Sequence, residues 1–319
     1  MKIGLIDVDS HNYPNLVLMK LSAYHKTKGD SVSWYDAFEG IIEPYDKVYM
    51  SKVFSFTPDY DLPIYAKEIE KGGSGYHIKY QNGKEVFDKA GHKNLPYEIE
   101  HIYPDYSLYP ELTKDTAYGF LTRGCPRGCN FCIVKDKDGL ISHKVADLSE
   151  FWNGQKNIEI LDPNILACKE WKDLLKQLAD SKAVVNFNQG LDIRLMTEEK
   201  AEWLSHVKTT KIHFAWDRYE DKDLIESKFT MFRRISKIRN KDLIVYVLCG
   251  DRERKVRKED LYRIYWLRDN GFAPYVMLYD KEHLPKRCEL RRLQRYVNNR
   301  FIFWACNSFE EYLKEKDND

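Results

Sequence analysis

Three cysteines at CxxxCxxC spacing, Cys125-Pro-Arg-Gly-Cys129-Asn-Phe-Cys132, are the residues of this chain best suited to chemistry. Three thiolates within eight residues can share one metal centre, and thiolate is the ordinary ligand of an iron-sulfur cube, each cysteine taking one iron. The fourth iron is then left without a protein ligand and can bind and polarise a small molecule, much as a catalytic zinc keeps one position open. Gly124 and Gly128 suit this reading, because glycine lets a loop turn tightly and brings backbone N–H groups close to a ligand. The same thiols are compatible with a zinc knuckle closed by a ligand such as His143, or with a redox thiol cluster. The zinc patterns pair short cysteine hooks with a second ligand pair at defined spacing, and the sequence has no such pair.

The rest of the chain must position this loop. Its 319 residues allow two domains or one large barrel with a substantial core. Charged residues at 32% and hydrophobic residues at 43% describe an ordinary globular protein. No apolar run approaches membrane-spanning length and no charged-then-apolar leader is present, so the expectation is a cytoplasmic protein without a membrane partner. Seven cysteines, an odd number with three clustered, argue against a disulfide framework and for a reducing compartment. Cys168, Cys249, Cys288 and Cys306 stand alone and read as small buried hydrophobes. The net charge of +1 points to no class of partner.

In chain order, residues 3–9 form an apolar run ending in acids, followed by a helical stretch from Pro14 that stops near Gly29, then strands at 31–35 and 47–52. This spacing predicts the start of a doubly wound parallel sheet, with Asp9, Ser10 and His11 at the carboxyl ends of its strands, where such sheets bind ligands. From 79 to 117 the pattern loosens through Gln81-Asn82-Gly83 and a run of prolines and tyrosines, which reads as a linker. From Tyr118 onward six apolar runs, at 119–121, 158–161, 184–187, 212–216, 243–248 and 275–278, alternate with amphipathic stretches at 171–178, 198–207 and 260–270. Six such units predict a partial barrel of parallel strands, whose active site belongs at the strands' carboxyl ends. The predicted domains are 1–80, a linker at 81–117, the barrel at 118–280 and a carboxyl-terminal extension at 281–319.

The cysteine spacing, with the aromatic Phe131 before the last cysteine and a short strand ahead of the loop, resembles the radical S-adenosylmethionine (SAM) enzymes. The stretches Asp162-Pro-Asn164, Gly190-Leu-Asp-Ile-Arg194, His213-Phe-Ala-Trp-Asp217 and Tyr246-Val-Leu-Cys-Gly250 resemble strand ends of the same superfamily. The resemblance implies an α/β chain in which a Rossmann-like domain precedes a partial (β/α)6 radical SAM barrel. It implies a 4Fe-4S cluster on Cys125, Cys129 and Cys132, SAM on the open iron, and a reducing electron donor such as flavodoxin or ferredoxin. Phe131, Asp162, Asn164, Gln189, Asp192, Arg194, Asp217 and Gly250 are the candidate SAM contacts. An arginine can hold a carboxylate, acids can accept from ribose hydroxyls or an ammonium, and glycine admits a flat adenine against backbone. The alternative for each is a helix or turn cap.

The amino-terminal domain is similar to the cobalamin-binding domain found ahead of such barrels. Its DxHxxG hallmark is matched by Asp9-Ser-His11-Asn-Tyr-Pro14, and later landmarks by Ser51 and Gly72-Gly73. Pro14 stands where the hallmark has glycine, and the domain is short, so the expectation is a degenerate domain without cobalamin. With cobalamin, methylation would lead; without it, hydrogen abstraction would. Tyr246, Tyr279 and Cys249 are candidates by type for a second hydrogen donor.

The tail carries Lys286, Arg287, Arg291, Arg292, Arg295 and Arg300 among Tyr296, Phe301, Phe303 and Trp304, and ends in a helix opened by Ser308 and Glu311 as a capping box. A second basic run spans 252–258. Such a surface suits nucleic acid or a phosphorylated substrate, and equally a solvated helix face whose aromatics close the barrel edge. The rival to an enzyme is therefore a nucleic-acid-binding protein with a structural metal site at the cysteines.

Overall fold

A computed structural model describes residues 1–10, 12–81, 84–251 and 253–317, in two compact units, Met1–Pro163 and Asn164–Asp319. His11, Asn82, Gly83 and Arg252, singled out above, lie outside the described residues.

The first unit opens on strand β1, Lys2–Asp7, whose four central residues are all buried, as a strand covered on both faces requires. Helix α1, Leu16–Thr27, starts at Asn15, whose side chain accepts from the Leu18 N–H, rather than at Pro14. Strands β2 (Ser31–Trp34), β3 (Tyr45–Ser51) and β4 (Ala66–Gly72) complete a parallel sheet in the order β2-β1-β3-β4, with the short helix α2 (Ala37–Ile42) capped by Asp36. One core cluster gathers Ile3, Leu5, Leu18, Leu21 and Ile99; another gathers Ile6, Tyr45, Val48 and Met50. Alternate residues of β1 feed the two clusters, which is the doubly wound arrangement expected.

Two strand pairings escape the sequence pattern. Strand β4 is largely charged and solvent-facing, and its pairing with β3 runs through backbone rather than an apolar face. An antiparallel pair, β5 (Ile78–Gln81) and β6 (Lys84–Phe87), occupies the start of the stretch read as linker. Later in the same unit β7 (Thr116–Gly119) pairs in parallel with β8 (Asn157–Ile160).

The second unit alternates helices and strands: α3 (Trp171–Ser181), β9 (Val184–Phe187), α4 (Glu198–His206), β10 (Ile212–Ala215), α5 (Lys222–Ile235), β11 (Leu243–Cys249), α6 (Lys258–Asp269) and β12 (Ala273–Leu278). β10, β11 and β12 are parallel neighbours, and Leu191 just after β9 bridges Phe214 of β10. The chain is thus α/β throughout: a Rossmann-like sheet, then six strands in the order of a partial (β/α)6 barrel. No helix among the described residues is long and apolar enough to cross a membrane.

The core of this unit is aromatic. Phe214 meets Phe229 and Phe232 edge-on, Phe229 lies 4.4 Å from Phe272, and Trp216 packs on Trp266. Three further helices, α7 (Glu289–Asn298), α8 (Arg300–Ala305) and α9 (Phe309–Asp317), pack through Tyr296, Phe303, Phe309 and Tyr312. Ser308 accepts from the Glu311 N–H at the start of α9, as the sequence implies. The outer edge of β12 is closed by amide side chains of α7. Asn298 accepts from the Val276 N–H at 2.8 Å and donates to the Val276 carbonyl, to which Gln294 also donates.

The apolar stripe of α6 contains a buried ion pair, Asp260 and Arg263, both fully inaccessible. Arg263 donates to Asp260 at 2.7 Å and to the carbonyls of Trp216 (2.6 Å) and Leu248 (2.9 Å), so one guanidinium joins the ends of β10 and β11. Breaking a buried pair strands the remaining charge. Arg263→Ala is therefore expected to cost about 3–5 kcal/mol in denaturant unfolding; a cost below about 1 kcal/mol would contradict this role.

Candidate functional site

The cysteine loop begins where β7 stops. The apolar run was expected to be strand at 119–121, but β7 ends at Gly119 because the backbone beyond it turns toward a buried carboxylate. Asp162, after β8, accepts from the Leu121 N–H at 2.7 Å, the Thr122 N–H at 2.9 Å and the Thr122 hydroxyl at 2.7 Å. Thr122–Arg123 then pairs antiparallel with His143–Lys144, closing the base of the loop. Gly124 follows with φ +82°, and a Cβ there would lie 2.1 Å from the Ile141 carbonyl oxygen, so this position is restricted to glycine by conformation and by space. Gly128, between the first two cysteines, also has positive φ.

Cys125, Cys129 and Cys132 are half-buried on this loop and no disulfide joins them. The Cys125 N–H donates to the Gly139 carbonyl and the Cys132 N–H to that of Cys129, so the loop is ordered by its own backbone. Among the described residues no three cysteine, histidine or acidic side chains gather as they would around a single ion. A cube takes one thiolate per iron, so its ligands stand further apart than those of one zinc. Three accessible thiols on a glycine-turned loop fit the cube's donor set. Phe131, 40% exposed, is available beside them. His143, the candidate fourth zinc ligand, is exposed, and its Nδ1 meets the Ile141 carbonyl.

Charges fix the loop to the amino-terminal sheet within the same unit. Lys20 of α1 pairs with Glu100 at 3.0 Å, Arg123 reaches Glu100 at 3.7 Å and Asp138 at 3.5 Å, and the Arg123 guanidinium lies 4.1 Å over the Phe120 ring. Lys137, at the end of the short helix Val134–Lys137 after the cysteines, donates to Ser74 at 2.8 Å. Burial pulls the ammonium groups of Lys20 and Lys137 below the usual lysine range.

The crevice between β1 and β3, the switch point of this sheet, is filled by the chain itself. Asp9 accepts from the N–H groups of Val53 and Phe54, both at 2.8 Å, and Asn15 donates to Ser51 at 2.8 Å. A Cβ on Gly73 would lie 2.2 Å from the Lys52 carbonyl oxygen, and one on Gly75 would lie 2.7 Å from that of Phe54. The landmarks assigned to cobalamin, Asp9, Ser51 and the glycine pair, are thus each engaged by neighbouring chain: Asp9 by the Val53 and Phe54 N–H groups, Ser51 by Asn15, and Gly73 by Lys52.

In the second unit four of the candidate SAM contacts converge at the strands' carboxyl ends. Arg194 donates to Asp192 at 2.7 Å and to Asp221 at 2.9 Å. Asp217 is half-buried after β10, and burial raises its carboxyl pKa against the pull of Arg263 and Arg194. Gly250, φ +84°, ends β11, where a Cβ would lie 2.9 Å from Leu290. Asn164 is buried at the start of the turn Ile165–Ala167. Gln189 is exposed in the turn before Gly190, apart from this network. Asp221, Arg257, Asp260 and Arg263 belong to the network and were missed. The signal for the last pair was two opposite charges at three-residue spacing on an otherwise apolar helix stripe. Of the candidate hydrogen donors, Cys249 is fully buried with its thiol pKa pushed up by burial, whereas Tyr246 stacks flat on His213 at 5.4 Å on the open face of the sheet.

Fold and loop together define a class: a Rossmann-like sheet, a glycine-turned cysteine loop and parallel strand-and-helix units. No family model and no curated protein matches the sequence. Solved structures share the fold. They include the radical S-adenosylmethionine methyltransferase TsrM from Kitasatospora setae with cobalamin and a 4Fe-4S cluster bound, 11% identical, TM-score 0.57, over 86% of this chain and 74% of that one. The same protein with tryptophan substrate and the SAM analogue aza-SAM is likewise 11% identical, with TM-score 0.55 over 86% and 72% of the two chains.

Asp162 gives this site a pH signature. Burial raises its carboxyl pKa to about 7, while the Thr122 hydroxyl and the two backbone donors act to lower it. The folded chain therefore binds the proton more tightly than the unfolded one, and stability falls as pH rises from the ordinary carboxyl range through 7. The stability advantage of wild type over Asp162→Asn, read from denaturation midpoints, is expected to shrink over that window; a constant advantage would contradict it. Asp162→Ala, which leaves two buried N–H groups unpaired, is expected to cost about 2–5 kcal/mol at any of these pH values.

Proposed function

We propose that this chain is a radical SAM enzyme that begins its reaction by abstracting a hydrogen atom from its substrate. The observation that carries the reading is the cysteine loop: three accessible thiols, a glycine position closed to any side chain, and a buried carboxylate that turns the preceding strand into it. The fold it shares with TsrM supports the same reading. Cys125, Cys129 and Cys132 would hold a 4Fe-4S cluster, and that cluster supplies an electron for the reductive cleavage of SAM. The chain's own residues orient and exclude. Phe131 lies exposed beside the cysteines, Asp162 fixes the loop's entry, Asp192, Arg194 and Asp217 offer acid and guanidinium of the kinds SAM's ribose and amino acid need, and Gly250 is the proposed adenine contact. Asn164 and Gln189 complete the proposed contacts.

The self-filled crevice of the amino-terminal sheet favours an enzyme without cobalamin, and so hydrogen abstraction over methylation. The half-buried thiols suit a reducing, cytoplasmic setting and a flavodoxin- or ferredoxin-type donor.

Protein purified without oxygen is expected to be brown, to contain about four irons and four sulfides per chain, and to release 5'-deoxyadenosine from SAM when reduced. Cys129→Ala should lose the iron and the cleavage together, with no bound cobalamin in either protein. A colourless zinc protein that leaves SAM intact would overturn the proposal.

A further inference from the structure

The aromatics of the carboxyl-terminal helices fall into two sets. Tyr296, Phe303, Phe309 and Tyr312 are buried and form the seam of α7, α8 and α9. Phe301 and Trp304, three residues apart on α8, face outward at 90% and 64% exposure. The aromatics needed for packing are thus accounted for, and these two are surplus to it.

Beside Phe301 an open groove of about 760 Å³ runs along α7 and the edge of β12. Its charged lining is Lys281, Arg291, Arg295 and Arg300, its aromatic lining is Tyr275 and Phe301, and the remainder is neutral amide. The chain as a whole balances 51 basic against 50 acidic side chains, so four cations with no acid among the lining residues are a local excess. Arg291 donates to the carbonyls of Lys281 and Leu284, and Arg300 to that of Lys241. Among the described residues none of the four pairs with a carboxylate, and the Nε of Arg291 is buried without a hydrogen-bond partner.

We propose that this groove binds single-stranded nucleic acid, the phosphates lying along Lys281, Arg291, Arg295 and Arg300 and bases stacking on Phe301 and Tyr275. A row of cations tracks a phosphate backbone, and an exposed ring accepts any base. Aromatic rings exposed beside the cations favour a strand, whose bases can stack on them, and the cations complement its phosphates. The inference is independent of the radical reading, since binding needs neither cluster nor SAM.

The test is fluorescence anisotropy of labelled 12-nucleotide oligouridine RNA and oligothymidine DNA with the full chain. Binding at 50 mM KCl is expected to weaken about 50-fold at 200 mM, the slope for four phosphate contacts on a single strand. Arg295→Glu should weaken binding at 50 mM about 10-fold, and Phe301→Ala about 5-fold or more through the lost stack. Lys208→Glu, the same charge change at an exposed site away from the groove, should bind as wild type does. Thermal melting checks that each variant is folded. No binding of either strand at 50 mM would overturn the proposal. So would wild-type affinity in folded Arg295→Glu and Phe301→Ala, or capture by phosphatidylserine vesicles without binding of either oligonucleotide.

Discussion

A single buried carboxylate decides where β7, the strand leading to the cysteine loop, ends. Asp162 draws the N–H groups of Leu121 and Thr122 and the Thr122 hydroxyl, and the backbone that would have continued β7 becomes the entry to the cysteine loop. Everything the loop does depends on that turn. Gly124, in its left-handed conformation against the Ile141 carbonyl, follows Thr122, held by Asp162, and Arg123, paired with His143, and Cys125 comes next. Burying a carboxylate costs free energy, and three donors offset part of that cost; burial still dominates its pKa. The same residue was a candidate SAM contact from sequence. The structure gives it a definite task in positioning the loop.

Charge then holds the loop in place from outside. Lys20, Glu100, Arg123 and Asp138 run from α1 across the tyrosine-rich stretch to the helix after the cysteines, and Lys137 reaches Ser74 beside the glycine pair. The amino-terminal sheet thereby acts as a scaffold for the cysteine loop. Its switch point, the place such a sheet normally offers a ligand, is occupied by contacts among Asp9, Asn15, Ser51 and the loop around Val53. In the second unit Arg263 has a comparable structural task, joining two strand ends on which Asp217 and Gly250 stand.

Much of this was legible in the residues. Buried parallel strands such as β1 and β11 are nearly continuous apolar runs, and the helices between them carry apolar stripes, so nine strands could be placed to within about three residues of their observed bounds. β4 was not legible, because all seven of its residues are at least partly exposed without apolar alternation and only backbone pairing with β3 makes it a strand. The β5–β6 pair was hidden by the tyrosines and prolines that follow it. For the site, the cysteines and Arg194 declared themselves by type and spacing. Asp221 and Arg263 did not, because their roles depend on which strand end lies beside which helix, and that is set by packing across long sequence separations.

The central claim is that three cysteines hold a cluster with one iron open to SAM. Electron paramagnetic resonance of the reduced protein, recorded before and after adding SAM, tests it most directly. The account predicts a paramagnetic cluster signal that changes on adding SAM and is absent from Cys125→Ala. A signal indifferent to SAM, or no signal from protein that retains its metal, would contradict it.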